Sequence, residues 1–165
     1  MDYYKIEVVW GEIRMEIRLK SSSHEETWEI GRKLGEKLKP GMLLCLSGDL
    51  GAGKTVIAQG IAKGLGVEGH VTSPTFNIVR EYHGREKFCH FDVYRISDPE
   101  EMFEIGFYEY LNGEAVCLIE WAELIGEILP KEHMNIEIRY TGDEEREITL
   151  SGEGIYAEFL SQIAF

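Results

Sequence analysis

The stretch Gly48-Asp49-Leu50-Gly51-Ala52-Gly53-Lys54-Thr55 is the most informative part of the sequence, because it matches the pattern G-x-x-x-x-G-K-[ST] of a phosphate-binding loop. Its glycines let the backbone wrap so that N–H groups point at phosphate oxygens, and the following helix presents its positive end to them. A buried-strand pattern over Met42–Ser47 comes directly before the loop, and a helical pattern running to about Gly66 comes after it. This context makes a chance glycine-rich loop a poor explanation and predicts a nucleotide-binding site.

Two side chains of the loop have expected roles of their own. Lys54 is expected to reach the β- and γ-phosphates of a bound nucleoside triphosphate, and the Thr55 hydroxyl is expected to coordinate Mg²⁺. The residues expected to bind the nucleotide are those of the whole loop, namely Gly48, Asp49, Leu50, Gly51, Ala52, Gly53, Lys54 and Thr55.

Outward from the loop, strand and helix patterns alternate. The patterned segments are a hairpin turning at Gly11-Glu12, a helix capped by Ser23 and Glu26, strand patterns Asn77–Tyr82 and Lys87–Tyr94, one helix from Asp98 to Asn112, a strand Ala115–Ile119, a short helix Ala122–Leu129, and a closing hairpin of Met134–Tyr140 with Glu147–Ser151. We expect an α/β fold, a three-layer sandwich of the P-loop NTPase type, with a mostly parallel central sheet and antiparallel edge hairpins. Residues 1–165 are expected to form one domain, with residues 1–14 as an accessory N-terminal strand, because Met15 is a possible alternative start.

The charge is distributed unevenly along the chain. The chain has 165 residues and a formal net charge of −13, yet residues 98–165 carry 17 acids and three bases while residues 1–97 are almost neutral. Proteins that bind nucleic acid directly usually have clusters of Lys and Arg that neutralise its phosphates, so the acidity of this chain argues against direct binding of nucleic acid. It still allows work beside nucleic acid within a complex.

The sequence predicts a cytoplasmic protein without a membrane segment. The N-terminus lacks the basic-then-apolar pattern of a signal peptide, and its apolar runs are too short to span a bilayer. Cys45, Cys89 and Cys117 are widely spaced within apolar runs, which favours buried thiols over a zinc site or a disulfide framework.

Two acids end apolar strand patterns and are candidates for holding the metal or its water shell. Asp92 follows Phe88–Phe91, and Glu120 follows Val116–Ile119. Ligands of α/β sheets collect at such strand ends, which raises both acids above the many others in the chain. Spacing leaves open which of the two would contact the metal. Trp121 is either a core residue or a neighbour of the nucleotide.

Several motifs occur together in a fixed order. They are the loop G-D-L-G-A-G-K-T, Ser73-Pro74-Thr75-Phe76, His90-Phe91-Asp92-Val93-Tyr94-Arg95, Asp98-Pro99-Glu100-Glu101 and Ile119-Glu120-Trp121. With them the chain, from about the first helix to Tyr140, resembles the TsaE (YjeE) family of bacterial P-loop ATPases of tRNA threonylcarbamoyladenosine synthesis. The resemblance implies slow Mg-ATP hydrolysis that supports TsaB and TsaD in modifying adenosine 37, with tRNA contacted only through that complex.

The resemblance also implies roles for single residues. Thr55 and Glu120 would belong to the magnesium site, Asp92 would assist the metal or the attacking water, and Thr75 would act as a switch near the γ-phosphate. Trp121 would lie by the nucleotide, and His24 and Arg146 would line it from the side.

Two other functions stay open at this stage. One is a small P-loop kinase acting on a metabolite, and the other is a nucleotide-gated binding module whose hydrolysis is incidental. An Asn-Lys-x-Asp motif for reading guanine is missing from the sequence, which disfavours an ordinary GTPase.

Overall fold

The computed structural model describes residues 3–9 and 12–165, and the strands in this part of the chain form a single sheet. The strands are β1 (Tyr3–Val9), β2 (Glu12–Ser21), β3 (Leu43–Gly48), β4 (Val79–His83), β5 (Lys87–Asp92), β6 (Ala115–Glu120), β7 (Met134–Tyr140) and β8 (Arg146–Glu153). Their order across the sheet is β1-β2-β8-β7-β3-β6-β5-β4. The turn predicted at Gly11-Glu12 lies partly outside the described residues, although β1 and β2 pair antiparallel on either side of it.

The prediction of a mostly parallel central sheet is not confirmed for the sheet as a whole, which is mainly antiparallel, although its middle strands β7, β3, β6 and β5 do pair in parallel. Three of the pairings between described strands are parallel (β3–β6, β3–β7 and β5–β6), and four are antiparallel (β1–β2, β2–β8, β7–β8 and β4–β5). Parallel neighbours need a long crossover, whereas short turns can only join antiparallel strands. The closing hairpin β7–β8 is also internal rather than at an edge, because β2 pairs with the other side of β8.

The helices pack on both faces of this sheet. They are α1 (His24–Lys37), α2 (Lys54–Gly64), α3 (Glu101–Glu104), α4 (Phe107–Tyr110), a 3₁₀ segment (Ala122–Ile128) and α5 (Ile155–Ser161). Alternate side chains of β3 belong to different cores: Leu44 lies with α1, α2 and α5, and Cys45 lies with α3, α4 and the 3₁₀ segment. This alternation is what a strand in the middle of a layered α/β fold requires.

Helix α1 begins where its capping residues predict. The Ser23 hydroxyl accepts the Glu26 N–H at 3.1 Å, and the Glu26 carboxylate accepts the Ser22 N–H at 2.6 Å. A Cβ at Gly60 of α2 would collide with the carbonyl oxygen of Trp28 in α1, so glycine allows the two helices to pack closely. This contact sets the start of α1 beside the start of α2.

The single helix predicted from Asp98 to Asn112 is divided into two. Gly106, with φ +72°, separates α3 from α4, and each helix spans only four residues. A residue in the left-handed region interrupts the regular hydrogen bonds of a helix, and glycine adopts that region without strain. No helix in the described residues is long and apolar enough to cross a membrane.

Candidate active site

The phosphate-binding loop connects the end of β3 to the start of α2 in a conformation that needs glycine. Gly51 and Gly53 have φ of +77° and +114°, a region that side-chain-bearing residues rarely adopt. A Cβ at Gly48 would lie 2.6 Å from the Ile138 carbonyl oxygen. The loop therefore takes its shape from its glycines and from its packing against β7.

Lys54, the first residue of α2, turns its side chain back across the loop. Its Nζ donates to the carbonyl oxygens of Gly48 at 2.5 Å and of Asp49 at 2.8 Å, and lies 4.1 Å from the centroid of the Trp121 ring. The residue is only 6% exposed. Burial lowers the pKa of Lys54, while the nearby carboxylates of Glu120, Glu123, Asp49 and Asp92 act in the opposite direction. The ammonium group thus sits among acids at the mouth of the loop.

The two candidate acids lie side by side. Asp92 and Glu120 are direct partners in the register of β5 and β6, and both are the last residues of their strands. They are 5% and 3% exposed. Because β3 is parallel to β6, its end delivers the loop to the same edge of the sheet, and three separate segments meet there.

Asp92 anchors the loop that carries the predicted switch residue. Its Oδ2 accepts hydrogen bonds from the Ser73 hydroxyl and, at 3.3 Å, from the Thr75 hydroxyl. Its Oδ1 accepts the Tyr94 N–H at 3.0 Å. The structure therefore brings Thr75 to the site and adds Ser73, which the sequence offered only as part of a loop motif.

Glu120 has a buried partner that sequence reasoning missed. His90 Nε2 and Glu120 Oε1 are 2.8 Å apart, and His90 is fully buried. His90 Nδ1 is the buried side-chain polar atom that lacks a partner among the described residues. In the sequence, His90 stands out only as part of the motif His90-Phe91-Asp92-Val93-Tyr94-Arg95. Its spacing of two from Asp92, which places both residues on one face of β5, was the available signal.

Trp121 lies at the site in a strained backbone position. Its φ is +61°, and its ring lies 4.8 Å from that of Tyr94 in addition to its contact with Lys54. The indole is therefore held between a cation and a second aromatic ring. Tyr94 also belongs to the motif His90-Phe91-Asp92-Val93-Tyr94-Arg95, but the sequence suggested no role for this residue.

Arg146, at the start of β8, supports the loop from the sheet side. Its Nε donates to the Ala52 carbonyl oxygen at 2.8 Å, its Nη1 donates to the Glu145 carbonyl oxygen at 2.9 Å, and its guanidinium lies 4.1 Å from the Tyr140 ring. The residue is 7% exposed. Its observed contacts are with the backbone of the phosphate-binding loop, the backbone of the turn between β7 and β8, and the Tyr140 ring. Its expected contact with a nucleotide stays a prediction.

The remaining predicted residues lie around the mouth of the site. Thr55 is exposed in the first turn of α2, and Leu50 is exposed at the tip of the loop. His24 is exposed at the start of α1, where it lines a groove of about 650 Å³ together with Trp28 and Gln59. His24 is therefore placed beside α2, outside the group of buried polar residues.

The donor set fits magnesium better than a metal held by protein alone. Among residues 3–9 and 12–165 no group of three or more His, Cys, Asp or Glu side chains could hold a metal ion. Magnesium is usually bound by one or two carboxylates together with substrate phosphates and water. The Thr55 hydroxyl and the carboxylates of Asp92 and Glu120 are the groups that would contribute to such a partial set, which a nucleotide would complete.

Comparisons with known proteins agree with one another. The family model described as "Threonylcarbamoyl adenosine biosynthesis protein TsaE" matches residues 21–148. A tRNA threonylcarbamoyladenosine biosynthesis protein TsaE from Bacillus subtilis is 45% identical over 148 residues, which are 89% of this chain and 92% of that protein. The protein of the same name from Treponema pallidum is 41% identical over 135 residues, 82% of this chain and 100% of its own. The crystal structure of YdiB from Bacillus subtilis superposes with a TM-score of 0.76 at 38% identity, covering 97% of this chain and 95% of that one.

Proposed function

This chain belongs to the TsaE family of threonylcarbamoyl adenosine biosynthesis proteins, and from that premise we propose that it binds and slowly hydrolyses Mg-ATP to support the modification of tRNA. The observation that carries the proposal is the meeting of Lys54 with Asp92 and Glu120, two almost fully buried carboxylates on adjacent strand ends. Buried charges are costly unless they have a task or a partner, and phosphoryl transfer uses this combination of a cation and acids.

The phosphate-binding loop would bind the nucleotide phosphates, and Lys54 would stabilise their negative charge. Backbone N–H groups of residues 48–55 and the positive end of α2 would hold the phosphates. Lys54 would exchange the carbonyl oxygens of Gly48 and Asp49 for phosphate oxygens, because a phosphate is the stronger acceptor for an ammonium group. Magnesium, when bound, would neutralise the charge that develops on the phosphate oxygens.

The two acids would divide their work. Asp92 already accepts hydrogen bonds on both of its oxygens, so it would couple the loop of Ser73 and Thr75 to the site rather than act alone. Glu120, held by His90, would hold the metal or orient the attacking water. Phosphoryl transfer to water needs mainly positioning and charge stabilisation, and these residues are suited to both.

The partners of the reaction follow from the family. We place TsaB and TsaD beside this chain in a complex that transfers a threonylcarbamoyl group to adenosine 37, with tRNA held by the partners. The 17 acids and three bases of residues 98–165 support this arrangement, because such a surface repels a phosphate backbone.

The decisive experiment measures ATP turnover of the chain alone, with TsaB and TsaD, and with or without tRNA. We expect slow turnover alone and strong stimulation in the complex. Phosphate transferred to a small molecule, with no effect of the partners, would instead establish the metabolite kinase. Support of tRNA modification by a variant that binds ATP without hydrolysing it would establish the nucleotide-gated binding module.

A matched pair of variants tests the assignment of Glu120. Glu120→Gln is expected to lower turnover in the complex by about 100-fold, since it removes charge at the reacting phosphate, while ADP binding changes only a few-fold. Glu123→Gln removes an exposed carboxylate close enough to influence Lys54 and is expected to change turnover little. Equal turnover in both variants would contradict the proposed role.

A further inference from the structure

Strand β1 forms one end of the sheet and has an open edge. Among the described strands it pairs with β2 alone, over its full length of seven residues. An unpaired edge exposes a row of backbone N–H and C=O groups that can accept another strand, and proteins usually guard such edges with proline, bulges, short length or charged side chains, especially lysine. The charged side chains of β1, Lys5 and Glu7, are of opposite sign. The sequence of Tyr3–Val9 contains neither proline nor glycine.

One face of β1 extends the apolar surface of the sheet past the part that α5 covers. Ile6 pairs with Met15 in β2, and paired residues of antiparallel strands point to the same face. Met15 is 6% exposed in the core beside α5, whereas Ile6 is 65% exposed and Ile13, farther along β2, is 57% exposed. An open groove of about 1100 Å³ lies over this face. The apolar surface therefore extends to the edge of the sheet and is uncovered there.

The charges on the other face are arranged symmetrically about Ile6. Lys5 and Glu7 flank it and form an ion pair along the strand. If a second β1 pairs antiparallel about a two-fold axis through Ile6, Lys5 of each copy lies opposite Glu7 of the other, and Ile6 lies opposite Ile6. An axis through Lys5 or Glu7 would place like charges opposite each other, and a shift by one residue would place apolar side chains on the charged face.

The net charge of this region also favours contact between copies. Residues 1–20 carry four acids and four bases, although the chain as a whole carries −13. Two copies of an acidic protein repel each other least where their surfaces are neutral.

We propose that the outer edge of β1 pairs with the same edge of a second copy of this chain, antiparallel and centred on Ile6, so that two sheets become one continuous sheet. The contact is isologous, as two-fold symmetry requires, and is built from backbone hydrogen bonds, the Ile6 pair and two Lys5–Glu7 ion pairs. It lies at the opposite end of the sheet order from β4 and β5, and it does not depend on the proposed activity.

Sedimentation velocity over a series of protein concentrations tests this pairing. The full chain, of 18.9 kDa, is expected to pass from monomer to dimer as its concentration rises. Lys5→Glu and Glu7→Lys are each expected to weaken the dimer by about tenfold or more, because each places like charges opposite each other twice. Lys39→Glu, which makes the same charge change at an exposed loop position, is expected to leave the dimer intact.

Mixing the two variants distinguishes pairing from misfolding. The Lys5→Glu chain has acids at both positions and the Glu7→Lys chain has bases at both, so an equimolar mixture is expected to regain the dimer that neither variant forms well alone. The double variant Lys5→Glu/Glu7→Lys is expected to regain it by itself. A wild-type chain that stays monomeric, variants that associate as the wild type does, or a mixture that fails to associate would each overturn the proposal.

A cross-link locates the axis. Ile6→Cys is expected to give a covalent dimer with a short bis-maleimide, because Cys45, Cys89 and Cys117 are buried and the new thiols face each other. Ile13→Cys lies on the same face, but Ile13 pairs with Val8, two residues from the axis. It is therefore separated from its copy by three strand spacings and by four residues along the strand, about 20 Å in all, and is expected to react poorly. Equal cross-linking of both variants would contradict an axis at Ile6.

Discussion

Two groups of strands differ in sequence pattern and in burial. The central strands are β3, β5 and β6, and the flanking strands are β1, β2, β7 and β8. Every residue of β6 is buried, and β5 has one residue that is not. Both strands are mostly apolar and end in an acid, although β5 also contains Lys87 and His90. In β2, by contrast, buried Met15, Ile17 and Leu19 alternate with less buried, mostly charged residues. Strands that are covered on both faces can hold acids in a buried site at their ends. Strands with one buried face and one solvent-exposed face instead support the core and form part of the protein surface.

The flank nevertheless reaches the site. Arg146 of β8 binds the Ala52 carbonyl oxygen, and Tyr140 of β7 lies over the Arg146 guanidinium. A Cβ at Gly51 would lie 2.9 Å from the Tyr140 hydroxyl. The central strands therefore carry the acids proposed to act on the phosphates, whereas the flanking strands contact the phosphate-binding loop and limit its shape.

The largest expected effect comes from removing the central cation. Lys54→Ala is expected to lower ATP turnover in the complex by about 100- to 1000-fold, because the charge aimed at the phosphates is lost. Lys63→Ala, at the exposed far end of the same helix, is the control and is expected to have little effect. Steady-state turnover and ADP titration measure both, and equal activity of the two variants would refute the central role of the loop.

The next effect tests whether the buried histidine positions Glu120. His90→Gln keeps an N–H near the position of Nε2, whereas His90→Asn and His90→Phe do not. We expect Asn and Phe to lower kcat by about 10- to 100-fold, as removal of a supporting partner commonly does, and Gln to retain most of it.

ADP affinity, followed by the fluorescence of Trp121, is the control for the histidine variants. It is expected to stay near that of the wild type, because His90 contacts Glu120 and not the loop. Equal losses of kcat in all three variants would mean that His90 serves only packing.

A smaller effect is expected when the hydrogen bond from Arg146 in β8 to the phosphate-binding loop is removed. Arg146→Ala is expected to lower the free energy of unfolding by about 1–3 kcal/mol, since buried carbonyl oxygens lose their donor. ATP turnover should fall less than in Lys54→Ala, because the reacting groups remain. Arg139→Ala, on the neighbouring strand with a side chain 67% exposed, is expected to change stability by less than about 0.5 kcal/mol. Urea unfolding measures both variants, and similar values would show that the flank does not brace the loop.

The last effect is confined to alkaline pH, is absent at neutral pH, and tests the burial of Cys45 in the central strand β3. Burial raises the pKa of the Cys45 thiol from 9.0 to about 12, with a lesser contribution from the charge of Glu123. The unfolded thiol ionises first as the pH rises, so this stability is complete below pH 9 and falls by up to about 1.4 kcal/mol per pH unit between those values.

The matched variant isolates this contribution. Cys45→Ala is expected to be less stable at neutral pH because it leaves a small cavity, but its stability should decline less steeply above pH 9. Urea unfolding under reducing conditions at several pH values measures the slope. Identical slopes in the two proteins would contradict the assignment of this pH dependence to Cys45.

Local patterns predicted those parts of the fold that short-range physics controls. The capping pair of Ser23 and Glu26 located the start of α1, and the strand before the loop was found from its apolar run. Sequence order did not locate the neighbours of each strand. The pairing of β2 with β8 joins segments more than a hundred residues apart, and it is this pairing that makes the closing hairpin internal and the sheet mainly antiparallel.

The candidate site shows the same division. Local patterns were enough to select three candidate residues. The loop motif identified Lys54, and the position at the end of an apolar strand pattern identified Asp92 and Glu120. The bond between His90 and Glu120 was not found, because it joins two strands whose register no local pattern encodes. The place of Arg146 behind the loop also depended on a contact across 94 residues of sequence.

Sequence alone was enough to establish a P-loop pattern, a family resemblance, buried cysteines and an acidic excess concentrated in residues 98–165. These features depend on residue type and on spacing of a few positions, which backbone geometry converts directly into local structure. Only the tertiary structure decided which acid has the histidine, which arginine braces the loop, and that β1 ends the sheet with an open edge. The reason is that strand order and register minimise the free energy of the whole sheet, so the neighbours of any one strand are set by all the others.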